Sequence, residues 1–303
     1  MATNKKIGYI CAVFAAVTYG MNPFFGLPLY AEGLTPLSVL FYRFSLASLL
    51  MAGGLFFSKE SFRLPKRYWL HTFCGGILVG LTCLFWFLSF RIMDSGIAAT
   101  ILFVYPVMVA MIMFLFFREK LSVTTITGTA IAIAGVVLLC QPGSGARFSM
   151  AGLIYVILSA LAYSIYIVGV KESRLRELSS ATLTFYTLLF AIPVFLIPLR
   201  MGADLQAIPS IKALCNAIGL GLFPSLLSFL LTAVAVKHIG PTQTSVMGGL
   251  EPVTAVLIGI FFFREHASFQ TVIGIIMILA AVTVIICNKT PAEKSTPVET
   301  AAD

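Results

Sequence analysis

The chain has 303 residues, 59% of them hydrophobic and only 11% charged, with a mean hydropathy of +1.00 and a formal net charge of +8. Soluble domains carry about a quarter charged residues, so an ordinary globular fold is excluded. The positive charge is not a nucleic-acid footprint either, because the lysines and arginines sit in short links between apolar runs and form no patch.

Those runs, each about 20 residues, match the length of a helix that crosses a bilayer, and none shows the alternation of a membrane β-barrel. Ten spans are predicted, near 7–30, 35–57, 69–90, 95–117, 121–140, 150–170, 179–199, 213–236, 241–263 and 267–288. Span one follows Lys5-Lys6 and carries Tyr19-Gly20-Met21-Asn22-Pro23. It resembles a signal peptide but lacks a small-x-small cleavage site, and is read as a retained span. Span two carries Arg43, and span three has Trp69 and Trp86 toward opposite ends, as in an aromatic belt. Within span four, Tyr105-Pro106-Val107 opens an apolar run that ends in Phe116-Phe117-Arg118-Glu119. Span six carries Tyr163-Ser164. Span nine repeats the phrase of span four, from Glu251-Pro252-Val253 to Phe262-Phe263-Arg264-Glu265, at an offset of 146 residues. Spans five and ten continue the match with Gly128 and Gly274. The residues after 288 are read as a disordered cytoplasmic tail, 289–303, rich in Pro, Thr and Glu.

Orientation follows from the basic residues. With the N-terminus in the cytoplasm, fourteen of the twenty lysines and arginines fall on cytoplasmic segments, five fall outside, and Arg43 lies within a span. Both termini then face the cytoplasm of a multi-pass protein of the plasma (inner) membrane. The repeat implies two units, 1–140 and 150–288, each with five spans. Because five is odd, the second unit enters the membrane from the opposite side. The expected fold is therefore all-α and integral to the membrane, with ten transmembrane helices arranged as two inverted five-helix repeats. In transporters this arrangement places a binding site near the midplane, between the halves.

The Tyr19-to-Pro23 stretch, Arg43, the two Pro-to-Glu helices (Pro106 to Glu119, Pro252 to Glu265) and the glycines that follow them resemble EamA-type members of the drug/metabolite transporter superfamily over essentially the whole chain. The resemblance implies a ten-helix carrier whose central cavity is lined by spans one to four and six to nine. It also implies export of a small metabolite, with the substrate left open.

Two ionisable residues lie well inside predicted spans, Arg43 and Glu251. A charge at that depth costs at least about 2.5–3.5 kcal/mol, so it usually faces a cavity or a partner. Glu251 lies about 15 Å into span nine, near the midplane, as a proton-coupling carboxylate, a ligand for a substrate amine, or a structural partner of Arg43. Pro252 should leave a backbone carbonyl near Gly248 without its usual amide. Arg43 serves either as a bidentate donor to a substrate carboxylate or as a structural cation that holds spans together. Acting together, the pair suits a zwitterion such as an amino acid. Tyr105 occupies in the first half the place that Glu251 holds in the second. Tyr19, Asn22, Tyr163, Ser164 and Trp86 are further candidates for the cavity wall, each weighed against simple helix packing. Glu119 and Glu265, with Pro106 and Pro252, are gating or structural candidates.

No metal-ligand cluster and no cofactor motif is present, and the six cysteines read as small buried hydrophobes. No catalytic constellation supports a membrane enzyme, and no filter-like loop supports a channel. A nucleotide-sugar or phosphate-ester carrier would call for more deep cations than Arg43. The expected partners are a small-molecule substrate, the lipid bilayer, protons and a second copy of the chain as a homodimer.

Overall fold

The computed structural model describes residues 2–58, 63–90, 92–93, 98, 101–119, 122–139, 149–263 and 269–287. The expected gate at Glu265 and the tail after 288 lie outside them. The described residues are mostly helical and contain no strand. Among the described residues, six apolar units are long enough to cross a membrane: Lys5–Ala31, Pro36–Phe57, Lys66–Ser89, Met150–Glu172, Ile211–Ile239 and Pro241–Phe262. Four shorter apolar helices accompany them.

The first unit comprises α1 (Ala2–Gly20) and α2 (Asn22–Ala31), separated by a turn at Met21. Pro23 sits in the first turn of α2, where its missing N–H costs nothing. The Asn22 side-chain amide donates to the Tyr19 carbonyl at 2.7 Å and satisfies a group that the turn would otherwise orphan. Next come α3 (Pro36–Phe57) and α4 (Lys66–Phe90), then α5 (Tyr105–Phe117), α6 (Val123–Leu139), α7 (Met150–Glu172) and α8 (Ser180–Leu196). Thr35, Ser149 and Ser179 cap α3, α7 and α8 with side-chain oxygens, as does Ser210 for α9 (Ile211–Gly221).

From α9 the chain passes through a π-helical segment, Leu222–Leu227, into α10 (Ser228–Ile239). Pro224 is the cause, since it has no N–H for the Leu220 carbonyl. The Ser225 hydroxyl donates to that carbonyl instead, at 3.0 Å.

The ninth predicted span is likewise divided, into α11 (Pro241–Met247) and α12 (Leu250–Phe263), and α13 (Phe269–Cys287) ends the described chain. Between α11 and α12 the amides of Gly248, Gly249 and Glu251 each bond the carbonyl three residues back, at 3.2, 3.0 and 2.9 Å. This tight turn corrects one expectation. The Gly248 carbonyl is not left bare by Pro252, because the Glu251 amide takes it. Pro106 and Pro252 both stand in the first turn of a helix rather than at the centre of a long one.

Small residues let the helices approach closely, as expected where lipid supplies no hydrophobic drive between them. A Cβ on Gly76 or Gly80 of α4 would lie 2.5 Å from the Phe190 side chain or 2.7 Å from that of Val194, both on α8. One on Gly135 of α6 would lie 2.7 Å from Ile278 of α13. α1 runs antiparallel to α10, with Gly8 against Ile239 and the Ser228 hydroxyl donating to the Ala15 carbonyl at 3.0 Å. Large apolar side chains such as Phe57, Phe116, Phe261 and Ile211 point outward, the reverse of a soluble protein.

Candidate functional site

The interruptions at Met21, before Tyr105 and at Gly248–Gly249 surround a cavity of about 390 Å³. First-half residues supply most of its wall, including Tyr19, Tyr30, Trp86, Phe87, Phe103 and Tyr105; Leu220, Glu251, Pro252, Ala255 and Val256 close it from the second half. A cavity of this size accepts one small metabolite. Its lining is aromatic and aliphatic, with Glu251, Arg43, Asn22 and the tyrosine hydroxyls as the polar groups.

Arg43 is 2% exposed. Its Nε donates to the Ser225 hydroxyl at 2.6 Å and its Nη2 to the Pro224 carbonyl at 3.0 Å. The guanidinium also lies 5.4 Å from the Tyr19 ring centre and 5.6 Å from that of Phe44. Its position is therefore set by the π segment of the opposite half, and no ion pair joins it to Glu251 among the described residues. Glu251 lies in the first turn of α12, and none of the described side chains donates to its carboxylate.

Tyr105 is 4% exposed, and its hydroxyl donates to the Ser245 carbonyl at 3.0 Å, across the two halves. Its ring meets Phe103 and Tyr163 edge-on, at centroid distances of 5.7 and 5.1 Å. A Cβ on Gly248 would lie 1.8 Å from the Tyr105 oxygen, so only glycine leaves room for this seat. Tyr19, Asn22 and Trp86 line the cavity. Tyr163 does not; it lies behind Tyr105. Ser164 is also outside the cavity wall: its buried hydroxyl lies 2.7 Å from the Ala160 carbonyl and 3.2 Å from that of Tyr105, which ties α7 to α5.

One end of the bundle carries Lys5, Lys6, Arg67, Arg118, Lys171 and Lys237, and here the halves are closed against each other. The Tyr9 hydroxyl donates to Gln243 at 2.9 Å, and Thr242 to the Glu119 carboxylate at 3.4 Å. Tyr68 donates to Glu177 at 2.7 Å, and Arg67 stands 3.4 Å from the same carboxylate. The Tyr68 hydroxyl, with Arg67 beside it, holds the Glu177 carboxyl below the usual carboxylate range. Arg118 caps α5 in the left-handed conformation, φ 54°, which turns the chain so that Glu119 faces α11.

Sequence reasoning missed Tyr30, Phe87 and Phe103 in the wall, and above all the run Thr242-Gln243-Thr244-Ser245 in α11. Four polar residues in succession inside an apolar span were a visible signal. Their partners, Glu119, Tyr9 and Tyr105, come from the other half and were not.

Comparison with known proteins agrees with this architecture. A solved crystal structure superposes with a TM-score of 0.76 over 94% of this chain and 98% of its own, at 16% identity, a likeness of fold. An uncharacterized transporter of Archaeoglobus fulgidus is 31% identical over 195 residues, 63% of this chain and 67% of its own length. The uncharacterized transporter YdfC of Bacillus subtilis is 24% identical over 84% of this chain and 82% of its own. Protein PecM of Dickeya dadantii is 23% identical over 73% and 75%. The model of the EamA-like transporter family matches twice, at residues 6–141 and 150–287. The duplicated phrase, the cavity between the halves and these matches lead to one conclusion: the chain is a membrane transporter, not an enzyme, and belongs to the EamA-like transporter family.

Proposed function

We propose that the protein is a secondary-active carrier with ten crossings in two inverted five-helix units, both termini in the cytoplasm of the plasma membrane, exporting a small amine or amino acid by alternating access. The observation that carries this reading is Glu251, an acid in the first turn of a broken helix, at a cavity that both halves build. Broken helices at mid-membrane depth are where carriers bind substrates and coupling ions. An unpaired carboxylate in an aromatic wall suits a protonated amine, with rings available for an apolar or cationic moiety. The commitment of Arg43 to Ser225 and Pro224 favours the amine over the carboxylate as the group recognised at depth. It also weighs against a phosphate ester, since Arg43 is the sole cation in the described cavity wall.

The carboxylate then has two occupants, a proton and the amine, and exchange between them couples export to proton entry. In proteoliposomes, wild type should show saturable flux of amino acids or amines driven by a pH gradient. Glu251→Gln should lose pH-driven flux while counterflow survives. Full pH-driven transport by that variant would refute the coupling role, and flux that neither saturates nor shows counterflow would indicate a channel.

A further inference from the structure

Tyr105 and Glu251 line two cavities, not one. Behind Tyr105, on the side of the basic end, lies a second chamber of about 10 Å³, bounded by both residues together with Tyr163, Thr232, Thr244 and Gly248. A chamber of this size holds one water, and a buried water needs two to four polar partners. The chamber offers them. Thr232 is 7% exposed, and neither its hydroxyl nor that of Tyr163 has a hydrogen-bond partner among the described residues. Thr244 donates to the Gly240 carbonyl at 2.7 Å, which leaves its oxygen free to accept. The Glu251 carboxylate is the remaining acceptor.

We infer that this chamber is a built hydration site, holding one water between Glu251, Tyr163 and Thr232, through which Glu251 exchanges its proton with the basic end while Tyr105 bars the substrate. The inference rests on Glu251 as the proton carrier. The carboxyl releases its proton to the water, and the water passes one on toward the basic end; reloading runs in reverse. The onward route is short. Thr244 lies three residues into α11 from Pro241, about 4.5 Å along the axis. Beyond it stand Gln243 with Tyr9 and Thr242 with Glu119. The titratable groups that face Glu251 are Tyr19 from α1, Tyr105 from α5 and Tyr163 from α7, with Arg43 of α3 and Cys83 of α4 beyond Tyr19. Along α10 and α11 the chamber's polar lining is Thr232 and Thr244, which carry no charge. The closed Tyr105 seat would thus separate two routes, a wide one for substrate from the cavity and a one-water route for protons from behind.

The test needs no substrate. In the full-length protein in nanodiscs, the protonated Glu251 carbonyl band is assigned by infrared spectroscopy through its loss in Glu251→Gln, and its shift on exposure to D2O is timed. Thr232→Val and Tyr163→Phe, each made singly so that one well-folded variant suffices, should slow the exchange about tenfold by removing partners of the water. Ala255→Trp, which fills the outer cavity, should slow the exchange less than either inner variant. Exchange blind to both inner variants, or slowed only by Ala255→Trp, would overturn the inner route and leave the coupling reading standing. If Glu251→Gln removes no carboxylic acid band between about pH 5 and about pH 9, Glu251 carries no proton, and both readings fall.

Discussion

At the scale of single residues, the cavity is held by groups that each answer a local backbone problem. Pro224 leaves the Leu220 carbonyl without an amide, Ser225 supplies a hydroxyl, and Arg43 ties the arrangement to the other half. A hydrogen bond to a charged group is worth about 1.5–3 kcal/mol. Arg43→Met should therefore lower the unfolding temperature of the ligand-free protein, and Ser225→Ala should reproduce part of the loss. An unchanged ligand-free midpoint with weakened substrate binding would instead make Arg43 a substrate ligand. Tyr105 and Gly248 form a second such pair. Gly248→Ala places a methyl on the tyrosine oxygen and should cost about 1–3 kcal/mol, as overpacking does. Tyr105→Phe in that background should recover most of it, and a thermal-melt double-mutant cycle reads the coupling. Additive losses would mean that the two do not share this contact.

Among elements, the decisive contacts are helix pairs that meet through glycine and a basic end closed by polar pairs. Gly76 and Gly80 stand four residues apart on the face of α4 that meets α8, a small-xxx-small pattern. Gly80→Leu should force these helices apart and abolish the monodisperse peak in size-exclusion chromatography. Gly54→Ala meets nothing within 4 Å and should be neutral or stabilising by up to about 1 kcal/mol through helix propensity. A normal profile for Gly80→Leu would refute the close packing. At the basic end, Glu177 has its pKa depressed by Tyr68 and Arg67. A depressed carboxyl stabilises the closed end above its ordinary value near 4.3, and that contribution is lost as pH falls through the lower, folded value. The contact is therefore intact at neutral pH, and Glu177→Gln should loosen it there.

Across the whole molecule, the substrate-sized cavity and the closed basic end lie on opposite sides of Tyr105, which gives an outward-facing arrangement if the basic end is cytoplasmic. In a background lacking the native cysteines, Leu102→Cys should react with a membrane-impermeant maleimide added outside, and Thr244→Cys should resist it from either side. Glu177→Gln should raise the labelling of Thr244→Cys from the cytoplasm. Reaction of Leu102→Cys only from the cytoplasm would reverse the orientation.

Hydropathy and the repeated Pro-to-Glu phrase were enough to read a membrane-embedded, duplicated helical transporter and to mark Glu251 as a candidate, because a bilayer forces span length and punishes stray charge locally along the chain. What the sequence could not convey is which residues meet across the halves. That Arg43 is anchored by Ser225, that Ser164 ties α7 to α5 and that Tyr105 seats against Gly248 are contacts between residues 59 to 182 positions apart. Only tertiary packing sets such distances, and so only the folded bundle shows one intramembrane charge bonded to Ser225 and Pro224 and the other without an ion pair at the cavity among the described residues.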